Sequence, residues 1–153
     1  MAKQSAGILL YRKTGEDLQV FLVHPGGPFF KNKDDGAWSI PKGEYEADED
    51  PLDAAKREFE EETGKAIDGD FIALSPIKQK GGKIVLAWAV AGDIDPKNIT
   101  SNTFEIEWPP RSGKKQAFAE VDRADWFDIA TAKIKINAAQ IALLDELNGL
   151  LNL

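Results

Sequence analysis

The stretch GEYEADEDPLDAAKREFEEETGK, residues 43–65, sets several carboxylates at fixed angles on a helix whose two ends are both marked. Asp50 supplies an N-cap, Pro51 suits the first turn, Asp53 places an acid at the third position, and Gly64 supplies the stop. These signals predict a helix from Pro51 to Thr63. At 3.6 residues per turn, Glu58, Glu61 and Glu62 fall within an arc of roughly 100°, with Glu58 and Glu62 about 6 Å apart along the axis. Like charges at such spacings destabilise an isolated helix, so the arrangement makes sense chiefly if a divalent cation neutralises it. Leu52, Ala55 and Phe59 form an adjacent apolar stripe that can anchor the helix to a sheet, while Ala54, one turn before Glu58, leaves the acidic face uncrowded. Hard oxygen donors with open positions suit Mg²⁺ or Mn²⁺, which keep waters and accept phosphate oxygens. The chemistry this implies is metal-assisted hydrolysis of an anionic substrate.

Working outward, Ser5 to Arg12 and Leu18 to His24 are apolar runs separated by Thr14-Gly15-Glu16-Asp17, which predicts a hairpin. A Gly/Pro-rich loop runs from His24 to Gly36 and leads into Ala37-Trp38-Ser39-Ile40-Pro41. Beyond the acidic helix, strands are expected at Phe71 to Pro76, Lys83 to Ala91, Thr103 to Trp108 and Ala119 to Phe127, with an exposed loop over Pro109 to Lys115. Ile141, Leu144, Leu147 or Leu150, and Leu151 recur at helical spacing, predicting an amphipathic helix over Asn137 to Leu151. Strands before, between and after two helices imply a mixed β-sheet packed between helices, an α/β/α sandwich of class α/β, in a single domain over residues 1–153.

The bulk figures narrow the function. With 19 Lys and Arg against 26 Asp and Glu, the formal charge of −7 opposes binding to long nucleic acids and to anionic membranes. No cysteine is present, which removes disulfides, thiolate metal sites and a cysteine nucleophile, and fits a cytoplasmic protein. The apolar run in MAKQSAGILLYRK is too short for a signal sequence, and no stretch reaches membrane-spanning length.

At the acidic helix the sequence resembles the Nudix family, whose signature reads Gly, five residues, Glu, seven residues, Arg-Glu, apolar, any, Glu-Glu, any, Gly, apolar. Gly43, Glu49, Arg57, Glu58, Phe59, Glu61, Glu62 and Gly64 match it. Lys65 departs from the final apolar position, where Ala66 could take the buried role. The resemblance implies a Nudix-type sandwich and a pyrophosphohydrolase acting on small nucleotides with Mg²⁺ (or Mn²⁺), as a monomer or homodimer. It implies Glu61 and Glu62 as principal metal ligands, Glu58 as a further ligand or the base for the attacking water, the Gly43 carbonyl as another ligand, and Glu49 with Arg57 as a loop-shaping salt bridge. Glu120, six residues before Trp126, falls where many relatives carry an extra acidic ligand or base, with Asp125 in reserve. The Pro41-Lys42-Gly43 form is similar to diadenosine polyphosphate hydrolases, which makes Lys42 a candidate phosphate contact. Arg111, Lys114 and Lys115 could clamp further phosphates, and Tyr45, Trp88 or Trp108 could stack a base.

Plainer readings stand beside these. The acids could form a solvated face supported by Arg57 and Glu61 at (i, i+4) spacing. An EF-hand starting at Glu46 fails, because Pro51 and Arg57 would occupy its glycine and final glutamate positions. His24, ahead of Pro25-Gly26-Gly27, reads as a strand-end turn residue. A nucleotide-sensing module without turnover and an RNA 5′-end pyrophosphohydrolase are the rival functions, the latter disfavoured by the −7 charge.

Overall fold

The computed structural model describes residues 4–151, so the first three and last two residues of the expected 1–153 domain lie outside the described residues. Its strands are β1 (Gln4–Thr14), β2 (Asp17–Pro25), β3 (Lys42–Glu44), β4 (Ile72–Ala73), β5 (Ile77–Lys78), β6 (Ile84–Ala91), β7 (Thr103–Glu107), β8 (Lys115–Ala119) and β9 (Val121–Asp128). Its α-helices are α1 (Pro51–Thr63), α2 (Ile129–Lys135) and α3 (Ile141–Leu151).

Seven strands make a mixed sheet in the order β4-β6-β1-β2-β9, with β3 joined to β1 and β5 to β6. The β1–β6 pair is parallel and the β1–β2 and β2–β9 pairs are antiparallel. Because side chains alternate along a strand, β1 feeds two cores. Ala6, Ile8 and Leu10 join Phe21, Val23 and Val90 beneath Ala54, Ala55 and Phe59 of α1. Leu9, with Val20, Leu22 and Ala89, packs beneath Ala132 of α2 and Leu143, Leu144 and Leu147 of α3. The expected α/β/α sandwich is therefore present. Among the described residues no helix is long and apolar enough to cross a membrane.

Helix α1 forms where its end signals put it. The Asp50 carboxylate accepts from Asp53 N at 3.1 Å, and Gly64 turns left-handed at φ 76° while its N–H closes on the Glu60 carbonyl. Past the stop, Ala66 is exposed, and Ile67 instead packs against the α1-side core. The buried position expected at Ala66 is thus one residue later, beyond a turn in which Thr63 Oγ1 accepts from Lys65 N.

Several elements differ from the reading of the sequence, among them β3, where no strand was expected. Of the run Phe71 to Pro76 only Ile72–Ala73 forms a strand, β4, and Pro76, which cannot donate to a ladder, separates it from the short β5 that follows. The region Ala119 to Phe127 divides at Glu120, with β8 leaving the main sheet to pair with β7 in a separate hairpin. Helix α2 was not anticipated. Asp128 caps it through Thr131 N, but its one fully buried contact, Ala132, gives no readable period.

The feature that shapes the site is residues 39–44, which run between β1 and β2. Ser39 exchanges hydrogen bonds with Val23, the Ile8 amide donates to the Pro41 carbonyl, and Lys42 and Gly43 pair with Gly7 and Ala6. Gly7 permits this approach: a Cβ there would lie 2.6 Å from Lys42 Cβ and 2.7 Å from the Pro41 oxygen. Gln140, fully buried, holds the segment from the α3 side, accepting from Ile40 N and donating to Ser39 Oγ, both at 3.0 Å.

Candidate active site

Strand β3 and helix α1 meet at Gly43 and Glu58. A Cβ on Gly43 would overlap the Glu58 carboxylate, so the glycine is the cradle in which that acid lies. A cleft of about 450 Å³ opens there, lined by Ser5, Lys42, Gly43, Glu44, Glu58, Glu62, Lys83 and Glu120. A smaller recess of about 190 Å³ shares Lys42, Glu62 and Glu120. A roomier groove of about 610 Å³ near Arg12 and Trp126 holds none of the acids of residues 43–65. Asp125 lines that groove, away from the acidic cleft.

Glu58 and Glu62 are only 8% and 9% exposed, on the buried side of α1 one and two turns after Ala54. Burial pushes the Glu62 carboxyl up to about 8, with the Glu58 and Glu120 charges adding to the rise and the Lys42 charge and main-chain amide opposing it. Burial and then the Glu61 charge raise Glu58 and Glu120 as well. Lys42 is driven down, first by burial and then by neighbouring Lys83. The cleft thus pairs buried carboxylates that resist ionisation with a partly desolvated amine. A divalent cation would relieve the first strain and a phosphate the second.

Arg57 organises the acids along one edge. It makes a two-pronged pair with Glu49, Nε to Oε2 at 2.8 Å and Nη2 to Oε1 at 3.0 Å, which raises the guanidinium's proton affinity and lowers that of Glu49. Its Nη1 donates to Glu58 Oε1 at 2.9 Å and to Glu61 Oε1 at 3.2 Å. The loop-shaping pair and the (i, i+4) support therefore coexist. Glu61 faces Arg57 and does not line the cleft. No three of the described acids close into a preformed metal-ligand set. The donor chemistry still fits a hard divalent ion: carboxylate oxygens of Glu58, Glu62 and Glu120 around one cleft, beside the backbone of Gly43.

Glu120 owes its place to the break between β8 and β9. Its N–H donates to the Asn102 carbonyl, the Asn102 N–H donates to the Glu61 carbonyl, and Gly26 N donates to the Glu120 carbonyl. Gly26 fits against Ala119, where any side chain would collide with that residue's carbonyl. His24, fully buried, steadies the same loop, with Nε2 donating to the Lys33 carbonyl at 2.7 Å and Nδ1 lying 2.8 Å from Asp122 Oδ1.

Arg111, Lys114 and Lys115 are exposed at the far end of the β7–β8 hairpin and do not line the cleft. Of the aromatic candidates, Tyr45 and Trp88 pack against the α1-side core, while Trp108 meets the 62%-exposed Phe29 edge to face. Sequence reasoning missed Ser5, Glu44 and Lys83 in the cleft. Each is a single polar residue contributed by or beside a different strand, with no spacing to link them.

Comparison with known proteins agrees with this fold. The solved Caenorhabditis elegans Ap4A hydrolase, as a binary complex, superposes with a TM-score of 0.67 over 98% of both chains at 21% identity. The Nudix domain of Shewanella oneidensis NrtR, complexed with ADP ribose, gives 0.69 over 99% of this chain and 90% of that one at 16% identity. Among curated proteins, an octanoyltransferase of Myxococcus xanthus is 28% identical over 129 residues, which is 84% of this chain but only 32% of that protein, so the chain spans about a third of its length. The model of the Nudix domain matches residues 1–147. With Gly43, Glu58 and Glu62 of the signature lining one cleft and that domain model covering nearly its whole length, the chain belongs to the Nudix family.

Proposed function

We propose that this protein is a divalent-metal-dependent pyrophosphohydrolase, which hydrolyses a phosphoanhydride bond in a nucleoside diphosphate linked to another moiety. Diadenosine polyphosphates are the first substrates to test. The observation that supports this best is the cleft in which Glu58, Glu62 and Glu120 face Lys42 and Lys83. It offers carboxylate oxygens for Mg²⁺ or Mn²⁺ and ammonium groups for phosphate in one space. A bound divalent ion would supply Lewis-acid polarisation of the phosphoryl oxygens and a water of lowered pKa.

The chain's own groups then divide the remaining tasks. Glu62 and the Gly43 backbone would hold the ion together with Glu58, and Lys42 would contact a phosphate oxygen. Glu120, whose proton affinity is raised by burial and by Glu61, suits taking a proton from the attacking water. Arg57 would keep Glu58 and Glu61 aligned through its anchor on Glu49. Arg111 and Lys114 would reach the outer parts of a long substrate only from the hairpin tip.

The deciding assay incubates the protein with diadenosine tetraphosphate, ADP-ribose and nucleoside triphosphates with Mg²⁺ or Mn²⁺ and analyses the products. Glu62→Gln and Glu58→Gln should each lower kcat by about a hundredfold or more. Turnover that survives both substitutions would refute the mechanism. Tight nucleotide binding with no product would favour the sensing module instead.

A further inference from the structure

Ser5 lies in the central strand β1, between Glu44 of β3 and Val85 of β6, and is fully buried. Its Oγ is the one buried side-chain polar atom among the described residues without a hydrogen-bond partner. An unsatisfied buried hydroxyl is a standing cost to the folded state, and alanine of nearly the same shape would remove it. Ser5 also lines the acidic cleft with Lys42 and Lys83. It shares a sheet face with Gly7, and the space above Gly7 is filled by Lys42 Cβ. The hydroxyl therefore belongs to the face that Lys42 covers.

We propose that Ser5 is a substrate-binding residue whose hydroxyl donates to a non-bridging phosphate oxygen held between Lys42 and Lys83. The flexible lysine stems rearrange around the entering anion and bring it onto the hydroxyl at the cleft floor. A diphosphate carries more oxygens than the two ammonium groups can meet, and a short, strand-borne hydroxyl adds a donor of fixed position. This assignment rests on the pyrophosphohydrolase reading above for its substrate class, but the polar atom it explains stands independently.

The test uses Ser5→Ala with imidodiphosphate, a hydrolysis-resistant diphosphate, titrated calorimetrically in the presence of Mn²⁺. A hydrogen bond to a charged oxygen corresponds to a roughly ten- to hundredfold change in Kd. The variant should bind imidodiphosphate more weakly by that factor, keep its Mn²⁺ affinity within about twofold, and melt at or above the wild-type temperature without ligand. Imidodiphosphate affinity within about twofold of wild type would overturn the proposal. So would a lower melting temperature with Mn²⁺ and imidodiphosphate affinities falling together, since the hydroxyl would then be structural, for example through a trapped water. If the wild type hydrolyses no nucleotide but its imidodiphosphate binding still depends on Ser5, the functional reading fails and this assignment stands. If turnover is robust and Ser5→Ala binds normally, only this assignment fails.

Discussion

Replacing Glu62 with Gln should stabilise the metal-free protein at alkaline pH. In the fold its carboxyl is pushed up from 4.5 to about 8, so the folded state holds a proton that the unfolded chain releases far more readily. For a carboxyl whose folded value is raised, the favourable contribution is fully present below the ordinary 4.5 and is lost as pH climbs through about 8. The wild type should therefore weaken steadily across that window, whereas Gln, a near-isostere of the protonated acid, does not titrate.

At ~1.36 kcal/mol per tenfold change in proton affinity, the full effect is on the order of 4–5 kcal/mol. Part of it is shared with Glu58 and Glu120, and removing the Glu62 charge takes a partner from Lys42. The net gain is then about 2 kcal/mol, or roughly 4–8 °C in Tm for a chain of this size. Thermal melts of both proteins in EDTA from pH 5 to pH 9 measure it. The curves should meet near pH 5, draw apart steadily up to about pH 8 and run parallel above it, with the variant higher. Adding Mg²⁺ should raise the wild type alone. A variant that melts at or below the wild type at pH 8.5 in EDTA would refute the claim that buried, mutually repelling carboxylates destabilise the apo site.

Three further substitutions probe the frame around the acids. Gly43→Ala forces the Glu58 carboxylate out of its cradle, so Mn²⁺ affinity should fall at least tenfold while Tm moves by only a few degrees, because the displaced group is a side-chain end. Arg57→Lys keeps the charge but loses the fork that binds Glu49 and reaches Glu58 and Glu61, and kcat for whichever nucleotide is turned over should drop by about tenfold or more with KM little changed. Gln140→Leu leaves the Ile40 amide and Ser39 hydroxyl without their buried partner, which should cost about 2–4 kcal/mol by urea denaturation.

The parts of the fold that could be read in the sequence are those in which local signals agree with one another. Helix α1 has a cap, a first-turn proline, an apolar stripe and a glycine stop, and it forms over the residues those signals bound. The β1–β2 hairpin has a turn sequence between two apolar runs. Helix α2 has a cap at Asp128 but too few turns for a period, and β3 is three residues long. An element this short is made by what surrounds it, and its own residues carry little information about it.

The same distinction separates the legible from the illegible residues of the site. Glu49, Arg57, Glu58, Glu61 and Glu62 lie on one loop and helix, so a single spacing rule brings them together. Their burial could not be read that way. Glu58 and Glu62 are buried because residues 39–44 enter between β1 and β2 and place Gly43 against the one and the Lys42 amide against the other. That entry depends on Gly7 lacking a side chain and on Gln140 reaching across from the short turn before α3, about a hundred positions later. The electrostatic character of the cleft follows from these long-range contacts. Acids on an isolated helix would ionise freely in water, and only the sheet edge, the segment at Gly43 and Glu120 delivered by the strand break turn them into a site in need of a cation.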